Sequence, residues 1–358
     1  MSEIPMYAVI MAGGRGTRFW PRSRKTEPKQ LLDILSDRTM IQETFDRVCV
    51  CVPVERILIV TTREQASCIR EQVPQVPVDN IISEPSGRNT AACICLAAGR
   101  IQREDPDACM WVLPADHCIA DPDRFRTIVG QAADVAVSTN ELVTIGIVPR
   151  GPETGYGYML CEPAQPGSKA CRVLQFHEKP EREQVLRYIA SGDCLWNSGI
   201  FVWKASAVLR EIKNHVPDIY AALLPVVDAW GRECFEDEIE RAYASVRSIA
   251  IDSAVLEKAA CVLAIRGDFG WSDVGSWSEV YDVATGDDNH NVLRGDVYTA
   301  DARGCLVHAT GKTIAVVGLD DVVIVETSDA LLVCRRDRSQ DVRAIVEQLE
   351  KQGRTELL

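Results

Sequence analysis

The sequence has no apolar run near the roughly 18 residues that a membrane-spanning helix requires. Nor does it open on an apolar signal region: Met1 to Met6 is polar and leads straight into an apolar segment, so no secretory leader is expected. There are 14 cysteines but no Cys-x-x-Cys pair, only Cys-x-Cys at 49/51 and 93/95. That spacing argues against a zinc site. Most of the thiols sit in apolar stretches such as Cys93-Ile94-Cys95, which predicts buried free cysteines in a reducing cytoplasm. Positive charge is also scarce: 39 Lys and Arg against 52 Asp and Glu leave a formal charge of −13. A field of that sign disfavours non-specific nucleic-acid or anionic-membrane binding, so neither is expected as a partner. Any anion site must therefore be a local cluster of cations, which Arg18, Lys29 and Lys179 can supply. The balance fits an enzyme of small molecules, and 358 residues suggest two domains or one with an appendage.

What the chain does carry is Gly13-Gly14-Arg15-Gly16-Thr17-Arg18, followed by Pro28-Lys29. It comes directly after Tyr7-Ala8-Val9-Ile10-Met11-Ala12, an apolar run that reads as a buried first strand. Glycines just past a strand let backbone N–H groups approach an anion, because no Cβ intervenes. Arg18 and Lys29 add charges suited to phosphate oxygens. The pattern describes a triphosphate cradle, yet it is neither of two familiar ones. A P-loop needs Lys-Ser/Thr after its last glycine, and here Thr17-Arg18 follows Gly16. The dinucleotide motif needs a glycine where Phe19 stands, and Pro21 and Pro28 interrupt the helix it runs into.

Short apolar runs at 7–12, 57–61, 110–114 and 143–147 alternate with helical patterns near 40–50, 63–72, 90–103 and 123–138. This βαβα order implies a mostly parallel sheet with helices on both faces. Ligands of such sheets collect at the carboxyl ends of the strands, where both Gly13–Arg18 and Asp116 fall. Beyond Asp287-Asp288-Asn289 the character changes: residues 292–334 read as short glycine-punctuated strands, and 341–351 as an amphipathic helix with Val342, Ile345, Val346 and Leu349 on one face. The chain thus divides into a domain at 1–288 and a β module with terminal helix at 289–358. Leu306, Val316, Val317, Val322, Val323, Ile324 and Val325 offer more apolar surface than a small appendage should leave wet, which predicts a homodimer through this module; packing on the same chain is the alternative.

Gly13–Pro21 with Pro28-Lys29 resembles the signature of sugar-1-phosphate nucleotidylyltransferases. Five further segments narrow the resemblance to mannose-1-phosphate guanylyltransferases: Glu84-Pro85-Ser86-Gly87-Arg88-Asn89-Thr90, Pro114-Ala115-Asp116-His117, Phe176-His177-Glu178-Lys179-Pro180, Trp196-Asn197-Ser198-Gly199, and Trp271 to Trp277. They occur in the family's order along nearly the whole chain. The resemblance implies a Rossmann-like (GT-A-like) α/β fold with a mixed sheet flanked by helices, and a small C-terminal β-helix-like module. It implies transfer of GMP from GTP to mannose 1-phosphate, giving GDP-mannose and pyrophosphate in the cytoplasm. Another sugar 1-phosphate (heptose or fucose), or a silent GDP-mannose sensor, is the alternative. A cupin-like isomerase domain, carried by some members, is not expected in a chain ending at Leu358.

The same resemblance assigns roles. Ala12, Gly13, Gly14, Gly16, Thr17, Arg18, Lys29, Glu84, Asn89, Thr90 and Asp116 fall on the nucleotide side. Gly157, Glu178, Lys179 and Asn197 fall on the sugar-phosphate side. Asp116 and Asp273 are implied to hold Mg²⁺, which favours one or two carboxylates plus phosphate oxygens and water. Catalysis is assigned to Arg18, Lys29, Asp116 and Asp273 as positioning and charge neutralisation. His117 adjoins Asp116, but a sugar phosphate is already an anionic nucleophile and needs no base. Guanine can be read by the Glu84 carboxylate or by backbone carbonyls near Met11 and Ala12; Glu84 can instead orient Arg88.

Overall fold

The apolar run after the polar start is strand β1 (Met6–Ala12) of a computed structural model that describes residues 4–14, 16–163 and 169–358. Arg15 of the glycine loop lies outside the described residues. Helix α1 (Met40–Cys49), β2 (Ile57–Thr62), α2 (Ala66–Gln72), β3 (Ile81–Glu84), α3 (Asn89–Glu104), β4 (Cys109–Pro114), the two-residue β5 (Cys118–Ile119), α4 (Pro122–Thr139) and β6 (Leu142–Ile147) follow in order. Then come β7 (Tyr158–Cys161), β8 (Cys171–His177), α5 (Arg182–Ser191), β9 (Cys194–Lys204), helices α6 (Ala205–His215), α7 (Pro217–Asp228) and α8 (Phe235–Ser245), and β10 (Val262–Gly267). The expected strands and helices of the first half are all present, with ends shifted by a few residues.

By compactness the chain forms two units, each built from segments apart in sequence. One comprises Met1–Gly13, Phe45–Ala115 and Ile119–Trp271; the other comprises Gly14–Thr44, Asp116–Cys118 and Ser272–Leu358.

In the first unit nine strands of the described residues form one sheet in the order β3-β2-β1-β4-β9-β6-β10-β8-β7. β1 runs parallel to β2 and β4, and β2 parallel to β3. β9 lies antiparallel to both β4 and β6 and separates them. The sheet is therefore mixed, as the resemblance implied, and not mostly parallel as the βαβα order alone suggested. Successive side chains of β1 serve opposite faces: Tyr7 and Val9 join the cluster containing α3, α6 and α7, and Ala8 and Ile10 between them do not. Helix α3 is not amphipathic, because it is sandwiched between the sheet and α6 and α7; every residue from Ala91 to Gly99 is buried.

The second unit contains, after β11 (Trp271–Ser272), helix α9 (Trp277–Val283), strands β12 (Val292–Arg294), β13 (Val297–Ala300), β14 (Leu306–His308), β15 (Ile314–Val317), β16 (Val322–Glu326) and β17 (Leu331–Arg335), and helix α10 (Val342–Lys351). β12, β14 and β16 stack in parallel, with Val292 opposite Leu306 and Leu306 opposite Val323. β13 and β15 make a second parallel ladder, which is the β-helix-like arrangement expected. The apolar rows are mostly buried within the chain itself. Leu306, Val323 and Val325 pack with Phe19, Trp20, Leu32, Ile34, Trp277, Val342 and Val346. Val316 and Ile324 pack with Ala302, Cys305 and Val307. The premise offered for a dimer therefore fails for these rows, although Val317 stays 70% exposed. This shared cluster is also why the glycine loop belongs to the C-terminal unit. On α10 Val342 and Val346 are buried and Leu349 is partly so, whereas Ile345 remains 42% exposed.

His308 is a buried polar group of this unit. Its Nε2 lies 3.0 Å from Arg22 Nη1, and a guanidinium can only donate, so the ring must be neutral there. Burial, with Arg22 and Arg294 nearby, pushes its pKa from 6.5 down to about 4. The unfolded chain thus takes up a proton first, and stability falls as pH drops from about 6.5 towards about 4. The thermal midpoint should fall more steeply over that window in the wild type than in His308→Gln. Parallel curves from scanning calorimetry would contradict the assignment.

Candidate functional site

The second unit holds a cavity of about 290 Å³ lined by Gly16, Thr17, Arg18, Phe19, Lys29, Asp116, His117, Asp273, Gly275 and Arg343. Lys29 is its fixed element. The side chain is buried, with Nζ 3.1 Å from Asp116 Oδ2, and it donates to the Asp273 carbonyl oxygen. Its ammonium also lies 5.4 Å from the centre of the Phe19 ring. Gly16 makes the fit possible: its φ is +61°, and a Cβ there would lie 2.5 Å from Lys29 Cβ. Gln30 Nε2 donates to the Gly14 carbonyl at 3.1 Å and ties the loop down. Arg18 is exposed.

The two aspartates differ. Burial opposes ionisation of Asp116, but Lys29 and His117 outweigh it and hold the carboxyl below its usual range. Burial, then the charge of Glu279 and a hydrogen bond with it, push Asp273 up to about 6. Glu279 was not foreseen. It accepts from the Gly275 N–H at 2.9 Å at the start of α9, and the Ser276-x-x-Glu279 pattern, a helix-start signal, could have revealed it. Asp116 and Asp273 offer only oxygen to the cavity. Among the described residues no cluster of three or more His, Cys, Asp or Glu could hold a metal unaided. Such a donor set fits Mg²⁺, which completes its shell with phosphate oxygens and water.

The first unit gathers the four residues expected on the sugar side. β7 pairs with both β8 and β9, which sets Gly157 beside Asn197: the Asn197 N–H donates to the Gly157 carbonyl at 2.8 Å. A Cβ at Gly157 would lie 2.7 Å from Glu178 Oε2 and 3.4 Å from Asn197 Cβ, so only glycine leaves this carboxylate in place. Lys179 Nζ pairs with Glu178 Oε1 at 2.8 Å. Tyr156 meets Trp196 and Trp271 edge-on, at 4.9 and 5.3 Å. The sequence reading missed Asp252, which accepts from Asn197 Nδ2 at 2.8 Å. Burial, then the charge of Glu178, raises its pKa to about 6. No motif marks it; its only sequence signal is a lone Asp after an apolar Ile249-Ala250-Ile251 run.

Glu84 is buried, and Tyr243 Oη donates to its Oε1 at 2.7 Å. Burial raises its pKa to about 7, against the opposing effect of that bond. Its Oε2 lies 3.9 Å from where a Cβ would stand on Gly13. Glu84 does not orient Arg88: Arg88 Nε donates instead to the Tyr243 carbonyl at 3.1 Å. The alternative acceptors are already engaged, the Ala12 carbonyl by Thr61 Oγ1 at 2.9 Å and that of Met11 by the Ala115 N–H at 3.0 Å. Asn89 opens α3 with φ +65° and accepts from the Thr90 N–H at 2.8 Å. The Thr90 hydroxyl accepts from the Ile251 N–H at 2.8 Å, so it anchors the segment that carries Asp252.

Comparison with known proteins bears on the family to which the chain belongs. Residues 7–290 match the family model described as nucleotidyl transferase, and residues 295–349 match the mannose-P isomerase/GMP-like beta-helix domain. The chain is 40% identical over 364 residues to the mannose-1-phosphate guanylyltransferase of Escherichia coli K12, covering 99% of this chain and 76% of that protein. It is 39% identical to the alginate biosynthesis protein AlgA of Pseudomonas aeruginosa, covering 98% of this chain and 73% of the relative. A crystal structure described as a mannose-1-phosphate geranyltransferase from Thermus thermophilus is similar with a TM-score of 0.88 at 32% identity, covering 97% of this chain and 100% of that one.

If the Glu178 charge helps to raise Asp252, Glu178→Gln should lower the Asp252 midpoint below about 6. Carboxyl ¹³C titration by NMR reads this directly. A midpoint that does not move would leave burial as the sole cause.

Proposed function

The chain belongs to the nucleotidyl transferase family, and from that footing we propose that it transfers GMP from GTP to α-D-mannose 1-phosphate, giving GDP-mannose and pyrophosphate. The observation that carries this reading is the likeness along nearly the whole chain to a protein named for that activity. Lys29 adds to it, as a cation fixed beside two aspartates in the glycine-loop cavity. In this reading the mannose 1-phosphate oxygen attacks the α-phosphorus of GTP, the bond to the bridging oxygen breaks, and pyrophosphate leaves. Asp116 and Asp273 would hold Mg²⁺, which neutralises phosphate charge when bound. Lys29 and Arg18 bind phosphate oxygens, and the loop N–H groups after β1 add dipoles aimed at them.

On the other substrate, Lys179 meets the sugar phosphate, while Glu178 and Asn197 take hexose hydroxyls, a carboxylate accepting two hydrogen bonds and an amide both donating and accepting. Gly157 leaves room for the ring. Glu84 accepts from guanine N1–H and N2–H in its ionised form, which a pKa of about 7 leaves available at and above neutral pH. We place the enzyme in the cytoplasm, where GTP is made; no helix among the described residues is long and apolar enough to cross a membrane. A homodimer now rests on Leu331 and Val333, which stay exposed on the edge strand β17. Light scattering that finds only monomer at micromolar concentration would remove it.

The test is a panel of four nucleoside triphosphates against mannose, glucose, fucose and heptose 1-phosphates, read as pyrophosphate release. GTP with mannose 1-phosphate should be turned over fastest, and EDTA should abolish the reaction. Asp273→Ala should cost at least about 100-fold in turnover. Full activity in EDTA or in that variant defeats the metal assignment.

The two lysines are expected to separate kinetically. Lys29→Ala should chiefly lower kcat, since its charge meets phosphates on which the reaction acts. Lys179→Ala should chiefly raise KM for the sugar phosphate and leave that for GTP nearly unchanged. Steady-state kinetics with each substrate varied decides it; the reverse pattern would exchange their sites.

A further inference from the structure

The cavity that carries the glycine loop is lined by one cation that belongs to neither motif: Arg343, on the C-terminal helix α10. We infer that Arg343 is a binding residue for the polyphosphate of the nucleotide, so that the C-terminal module completes the nucleotide site. The inference rests on the reading of this cavity as a triphosphate site.

Packing fixes where α10 stands relative to the loop. Val342 and Val346 are buried in the same cluster as Phe19 and Trp20, and Trp20 Nε1 donates to the Leu357 carbonyl at 2.9 Å, holding the segment that follows the helix. One residue further along a helix turns the side chain by about 100°, so the residue after Val342 leaves the buried face and lines the cavity. Arg343 is not committed elsewhere by a strong partner. Its ion pair is with Glu347, four residues on, at 3.0 Å, and the arginine side chain is 64% exposed. Such exposed pairs are weak, and a phosphate can displace one.

Charge gives the second argument. Among the described residues the lining without Arg343 offers Arg18 and Lys29 against Asp116 and Asp273, and Lys29 already faces Asp116 at 3.1 Å. On a chain whose formal charge is −13, Arg343 adds a further cation to that lining. Its planar fork also suits two oxygens of one phosphate better than an ammonium does.

Titration calorimetry with the full-length protein in magnesium buffer, without sugar phosphate, tests this with GTP and separately with GMP. Loss of a charge-assisted contact should weaken GTP about tenfold or more in Arg343→Ala. GMP, which lacks the β- and γ-phosphates, should change by less than about twofold. Arg343→Lys should fall between wild type and Arg343→Ala for GTP, and its thermal midpoint shows whether the helix still packs. GTP affinity unchanged in Arg343→Ala overturns the inference. Equal weakening of GTP and GMP also overturns it, because that is the mark of a merely structural role. Wild-type protein that binds neither nucleotide overturns the reading of the cavity itself, and the inference with it.

Discussion

A lysine ammonium taken out of water is stable only if fixed partners replace its hydration, since the residual penalty for an unpaired buried ion is several kcal/mol. Lys29 meets that demand with the Asp116 carboxylate, the Asp273 carbonyl and the face of Phe19. These partners come from parts of the chain far apart in sequence: the end of β4, the turn after β11, and the segment following the glycine loop. Around them the second unit takes its form. Gly16 is confined against Lys29 by both its φ and the lack of space for a Cβ. The result is a charge held in place before any ligand arrives, which is the kind of preorganisation that stabilises developing charge most effectively.

The first unit solves a different problem with opposite charge. Glu178 lies near enough to Asp252 to disfavour its ionisation, with Asn197 bonded to Asp252 and Lys179 paired with Glu178. Asp252 carries a proton to donate only below about pH 6 and is an acceptor above it. Tyr243 plays a comparable part at Glu84, holding the carboxylate by its hydroxyl and Arg88 by its carbonyl.

Much of this was legible in the sequence because it lies in contiguous signatures. The glycines after β1, Lys29, Asp116 and the Gly157, Glu178 and Asn197 set each stand in a local pattern with a chemical reason; Gly14, Gly16, Lys29 and Asp116 fall in one unit, and Gly157, Glu178 and Asn197 fall in the other, as do Gly13, Glu84, Asn89 and Thr90. Asp252, Tyr243 and Arg343 were not legible, since each matters through a neighbour distant in sequence or through the packing of its helix. Strand periodicity gave the elements of the first half but not the insertion of β9 between β4 and β6, because pairing order is decided by tertiary packing. The C-terminal rows were read correctly as apolar and wrongly as uncovered. Their cover, Phe19 and Trp20, stands some 290 residues upstream, from Phe19 to Leu306, a separation that no local pattern reveals.

That separation bears on how the chain reaches its native state. During synthesis the glycine loop emerges well before residues 272–358, which complete its unit. Phe19, Trp20 and Leu32 are therefore made well before most of the cluster that buries them. Contacts of such long range form slowly, because the loop between them must close before they reward it. The sheet of the first unit can be completed once β10 has been made, whereas the Lys29 site must wait for residues from 272 onward. Until those residues follow, the Phe19 and Trp20 rings form an aromatic surface suited to chaperone capture.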